Sequence, residues 1–109
     1  MRALVATLAL ATGLFGHVTR GPLTPVCVVG IPCSGPAPGV TLEFVRRGAV
    51  AGRTVTDARG RYRISLAPGV YAVRALYRSQ PVRRFEPLQA VVRAQLMRRA
   101  DFSIDTGIR

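Results

Sequence analysis

The chain contains no Lys, no Asn and no Trp, one His, two Cys and only five acidic residues among 109. Each shortage closes off chemistry. A lone imidazole, His17, cannot supply the several ligands of a histidine-based metal centre, and no Gly-x-Ser-x-Gly elbow accompanies it to build a Ser-His-Asp triad. The carboxylates Glu43, Asp57, Glu86, Asp101 and Asp105 are scattered, whereas a calcium cage wants about six or more oxygens, often from clustered acids. Sugar-binding sandwiches usually stack the ring on Trp or Tyr. Trp is absent, and alternation places Tyr62, Tyr71 and Tyr77 on inner faces. The same lack of exposed rings argues against nucleic acid as a partner. No catalytic residue, metal ligand or cofactor is expected.

Long apolar runs are scarce too. The longest, residues 3–15, follows Met1-Arg2 and falls short of the roughly 20 residues a bilayer span needs. One positive residue before it, and small residues at Ala9 and Ala11, predict a signal peptide over residues 1–11, with an alternative end at 13. A buried N-terminal strand or helix is the competing reading. Export would put Cys27 and Cys33 where disulfides persist. Their C-x5-C spacing suits neither a C-x-x-C redox pair nor the usual zinc half-site. Pro25, Gly30 and Pro32 fit a tight loop that a Cys27–Cys33 disulfide closes, worth about 2–2.5 kcal/mol in the chain-entropy model. Two free buried thiols remain the alternative.

What the chain does have is arginine, glycine and proline. All 16 basic residues are Arg and the formal charge is +11. That usage fits a G+C-rich codon bias, yet the guanidinium still binds carboxylates and phosphates in a planar two-point geometry. Eleven Gly and eight Pro imply many turns between short strands. Leu14, Gly16 and Val18 alternate with Phe15, His17 and Thr19. Residues 20–39, with five Pro and four Gly, read as an irregular loop. Val40, Leu42 and Phe44 face inward on the next strand, and a third lies near 50–56.

The segment 56–73 carries the most detail. Asp57 can bond its own backbone two residues on, and Gly60 supplies a positive φ to close the turn. Tyr62, Ile64 and Leu66 then point inward, with Arg61, Arg63 and Ser65 outward. Pro68-Gly69 fits the centre of a type II turn. The return strand places Tyr71, Val73, Ala75 and Tyr77 on one face, with Arg74 and Arg78 on the other. These two strands are read as a hairpin. Two more strands follow near 88–93 and 98–105, while residues 93–99 are too few for a convincing helix. Together the seven strands imply an all-β, seven-stranded Greek-key β-sandwich over residues 14–105, with 106–109 as a tail.

The pattern Thr56-Asp57…Gly60-x-Tyr62-x-Ile64-x-Leu66-x-Pro68-Gly69-x-Tyr71 resembles the recurrent signature of carboxypeptidase-regulatory-like and collagen-adhesin B-type domains, which are prealbumin-like sandwiches. The resemblance implies a stalk, spacer or adhesin role, and the residue shortages above speak against the activities found on related folds. Adhesin B-type domains often cross-link Lys to Asn, which cannot happen in a chain that has neither. The expectation is a secreted or cell-envelope module with a structural or interaction role. Two alternatives accompany it. One is an arginine face formed by Arg61, Arg63, Arg74 and Arg78 that binds an anionic envelope glycan, with Arg46, Arg47, Arg83 and Arg84 as the contrast set. The other is an accessory or inhibitor that presents the Cys27–Cys33 loop to an extracellular protein.

Overall fold

A two-residue period of buried and exposed side chains is clearest over Arg61–Ser65, Gly69–Tyr77 and Gln89–Val92 of the computed structural model, which describes residues 11–108 and has no helix among them. The expected signal peptide lies almost wholly outside the described residues. Eleven strands form two sheets arranged as a sandwich. They are β1 (Gly13–Gly21), β2 (Gly35–Pro36), β3 (Val40–Arg46), β4 (Ala49–Val55), β5 (Arg61–Ser65) and β6 (Gly69–Tyr77), followed by β7 (Gln80–Pro81), β8 (Phe85–Glu86), β9 (Gln89–Val92), β10 (Met97–Arg99) and β11 (Phe102–Asp105).

The first sheet is organised on β1, which pairs antiparallel with β5 and β2 and parallel with β10 and β11. Strand β8 adds to β11. The second sheet runs β4-β3-β6, with β9 along the first half of β6 and β7 along its end. Leu14, Val18, Tyr62, Phe85 and Phe102 from the first sheet meet Leu42, Phe44, Tyr71, Val73 and Val92 from the second in one core. Phe102 is its hub, with ring centroids 5.2 Å from Phe85, 5.8 Å from Tyr62 and 6.3 Å from Phe44.

Two sequence expectations need correction. Strands β5 and β6 are not a hairpin: β5 pairs with β1 in one sheet, and β6 pairs with β3 and β9 in the other. Gly69 opens β6 at φ 155°, not the φ near +80° of a type II turn. Residues 66–68 therefore cross between sheets. At roughly 3.3–3.6 Å per residue they suffice for a separation of about 10 Å. Tyr71 secures the crossing, its buried ring sending Oη to Ala67 O at 2.5 Å.

The last strand is also broken where the alternation continues. Both β10 and β11 keep the same register with β1, but Ala100 and Asp101 interrupt the ladder. There Ala100 N donates to Phe15 O, Asp101 Oδ1 accepts from His17 N, and Tyr62 Oη donates to Ala100 O. Burial, and secondarily the charge of Asp101, push the Tyr62 phenol well above its ordinary pKa. Position 16 must be glycine for this approach, since a Cβ would sit 2.2 Å from Ala100 O. His17 is thus a strand residue beside Asp101 and Arg99.

The turn before β5 forms as its residues suggest. Asp57 Oδ1 accepts from Arg59 N and Arg61 N, both at 2.9 Å, and Gly60 takes φ 73°. These hydrogen bonds lower the Asp57 pKa, the one from Arg61 N most.

Candidate functional site

The four arginines read as one face are dispersed. Arg61 and Arg63 flank buried Tyr62 and leave the outer side of the first sheet; Arg74 flanks buried Val73 and Ala75 and leaves the outer side of the second. Two of them already hold carboxylates. Arg61 Nε lies 3.0 Å from Asp57 Oδ2, and Arg74 Nε lies 2.6 Å from Glu43 Oε1. Glu43 is itself covered, because Arg53 grips its other oxygen from β4. The hydrogen bonds from Arg53 and then Arg74 hold the Glu43 pKa below its ordinary value against the opposing effect of burial. This is a cross-strand clamp over β4, β3 and β6. Arg78 sits apart in the turn after β6, at φ 51°, with its guanidinium 5.2 Å from the Tyr77 ring centre. Tyr77 is 43% exposed, so the inward alternation of β6 stops at Ala75.

A different constellation gathers at the pole where β1 ends. Gly21 leads into the segment 22–34, and β2 returns antiparallel to β1, pairing Arg20 with Gly35. Cys27 and Cys33 stand at disulfide distance within this segment, their Cα atoms 5.4 Å apart. Leu23 N donates to Cys33 O at 2.8 Å, and Ile31 N donates to Val28 O at 3.1 Å. The result is a compact knot hanging directly from the start of β2. Nothing in it reaches the core. Val26 is 72% exposed, Ile31 64%, and Val29 fully exposed.

The sandwich grips this segment from both sides. On the incoming side, Thr106 N donates to Gly21 O at 3.0 Å and Thr106 Oγ1 to Pro22 O at 2.7 Å. On the outgoing side, buried Thr56 donates Oγ1 to Ala37 O at 2.6 Å and accepts from Val40 N at 2.9 Å. Residue 106, assigned to a tail by its position, is a fastening of the loop base.

Beside that base lies a cleft of about 570 Å³ whose lining includes Gly21, Ser34, Arg20, Arg83, Arg84 and Asp105. Arg84 Nη1 is 3.5 Å from Asp105 Oδ2. A second cavity of about 250 Å³ adjoins it, shares Arg20, Ile104 and Asp105, and is also lined by Val40, Tyr77 and Val82. Arg83 and Arg84, which the sequence suggested only as a contrast set, are therefore brought to Arg20 from 63 and 64 positions away in the chain. The adjacent pair Arg83-Arg84 was the visible signal; its neighbourhood was not.

No protein-family model matches the chain, and no curated protein matches it in sequence. The geometry of this pole must carry the functional reading.

Among the described residues no His, Cys, Asp or Glu cluster could hold a metal ion, and no helix is long and apolar enough to cross a membrane. The pole sets an uncharged aliphatic segment beside a cleft lined by Arg20, Arg83 and Arg84 and by the carboxylates Glu86 and Asp105.

Proposed function

We propose that the chain is a non-enzymatic interaction module working outside the cytoplasm, a prealbumin-like Greek-key sandwich whose working end is the loop-bearing pole. The observation that carries this is the exposed segment 22–33, which has no charged residue yet holds Leu23, Val26, Val28, Val29 and Ile31 in water. Isolated apolar side chains on a surface need no explanation, but a contiguous group on a fastened support marks a contact site. The Cys27–Cys33 pairing favours an oxidising compartment and so the exported reading. Support for the family comes from Tyr71, whose hydroxyl bonds the carbonyl four residues upstream at the sheet crossing, as in the tyrosine corner of Greek-key sandwiches.

Export would release a chain that starts at Thr12. Thr12 O accepts from Leu66 N, its hydroxyl accepts from Gln95 N, and Gly13 N donates to Leu96 O. Cleavage after residue 13 would remove all three contacts, cleavage after 11 none. Intact-mass measurement on exported protein decides between them.

Binding of an anionic envelope polymer is the second reading. Its address becomes the cleft of Arg20, Arg83 and Arg84 instead of the outer faces of the sheets.

The test uses exported, oxidised protein and washed bacterial envelope fragments. Replacing Val26, Val28, Val29 and Ile31 by Ser, with Cys27 and Cys33 kept, is expected to abolish retention while leaving the unfolding midpoint nearly unchanged. Equal retention of both proteins would overturn the assignment of the pole. Loss only on replacing Arg20, Arg83 and Arg84 by Gln would transfer it to the polymer reading.

A further inference from the structure

The apolar side chains of the knot are all aliphatic, and the order of charge around them is informative. From Gly21 to Leu42 the chain carries no charge, but the residue before this stretch is Arg20, and Arg83 and Arg84 join it at the cleft beside the loop base, three cations against the carboxylates Glu86 and Asp105. The knot is exposed along its length, with Val26, Val28, Val29 and Ile31 all open to water. Protein hot spots are dominated by Trp, Tyr and Arg set in pockets; the knot has no aromatic residue at all. An exposed aliphatic tip with arginines at its base matches the layering of a bilayer surface, where acyl chains lie beneath anionic headgroups.

We propose, resting on the assignment of this pole as the working end, that the Cys27–Cys33 knot inserts into the interfacial region of an anionic lipid bilayer. Val26, Val28, Val29 and Ile31 enter the acyl boundary. Arg20 and Arg83, with Arg84 beside Asp105, face the lipid phosphates.

Three details fit this occupant. Val29 is two residues from Cys27, Cys27 is held to Cys33, and Cys33 adjoins Ser34 at the cleft. Two residues span at most about 7 Å, so Val29 stands no farther than that beyond Cys27, within the depth of roughly 5–10 Å that interfacial elements occupy. Pro22, Pro25 and Pro32 have no backbone N–H to desolvate, and Leu23 N and Ile31 N already donate within the segment. The disulfide presets the loop shape, which cuts the ordering entropy that a flexible loop would lose on insertion.

The experiment co-sediments exported, oxidised protein with vesicles of phosphatidylcholine alone, or of phosphatidylcholine and phosphatidylglycerol in equal parts. Binding to the mixed vesicles, weak binding to the neutral ones, and weakening by salt are expected. Val29→Asp with Ile31→Asp should reduce mixed-vesicle binding by at least about tenfold without shifting the unfolding midpoint. Val29→Trp supplies an indole in a chain that has none, so a blue-shifted emission with mixed vesicles reads insertion directly. Failure to sediment with either vesicle, while loop-dependent retention on envelope fragments persists, would overturn lipid insertion and assign the knot to a protein. Unchanged binding of the double Asp variant, or an unshifted Trp emission, would also overturn it, leaving adsorption by net charge.

Discussion

The two ends of the chain's apolar content behave in opposite ways. In the sandwich, inward side chains of both sheets share one core, and the hydroxyls of Tyr71, Tyr62 and Thr56 bond Ala67, Ala100 and Ala37 there. In the knot, side chains of the same kind face water and only a disulfide and a few hydrogen bonds give them shape. Hydrophobicity alone therefore does not locate the core of this protein. Position relative to a ladder does, because burial needs a facing sheet.

The comparison would break most sharply at Tyr71. Replacing it by Ala removes a ring at 1% exposure and should cost about 3–5 kcal/mol in denaturant unfolding. Tyr71→Phe keeps the ring but loses the bond to Ala67 O, and should cost about 1 kcal/mol. A loss below about 1 kcal/mol in the Ala variant would remove the ring from the core.

Gly16→Ala should come next, at about 1–3 kcal/mol, since the new methyl meets a backbone carbonyl and not a yielding side chain. Unaltered stability would mean that β1 does not approach Ala100 so closely.

Replacing Cys27 and Cys33 together by Ser should cost no more than about 2.5 kcal/mol, with faster amide exchange confined to residues 22–34. Faster exchange throughout the sheets would show that the knot supports the fold, and the contrast between the two regions would fail.

Acid titration sharpens the picture on the outer face. The Glu43 pKa is lowered in the folded chain, so the unfolded chain binds more protons between the two values. Its contribution is complete above the ordinary glutamate pKa and is lost as pH falls through the lowered folded value. Glu43→Gln should flatten that acid limb of the unfolding midpoint, and a limb of unchanged steepness would show that the Arg53 and Arg74 clamp adds nothing. At the small end of the scale, Val29→Ser should change stability by less than about 0.5 kcal/mol, because the side chain touches no core residue. A larger loss would place Val29 in a contact.

Much of the fold was legible because its causes are local. A two-residue period marks Leu14 and Val18, Leu42 and Phe44, Tyr71 and Val73 as inward whatever the strands pair with. The Asp57–Gly60 turn follows from an Asx bond and a glycine at positive φ, both within four residues. The Cys27–Cys33 closure needs only a short loop with prolines. Tertiary structure alone decided which strands are neighbours. Three residues between β5 and β6 fit a hairpin turn or a step between sheets, and periodicity is blind to the choice because both keep Tyr62 and Tyr71 inside. That single step parted Arg61 and Arg63 from Arg74, gave Arg74 to Glu43, and left the gathering of arginines to β1, whose end meets Arg83, Arg84 and Thr106 only through parallel pairing with β11.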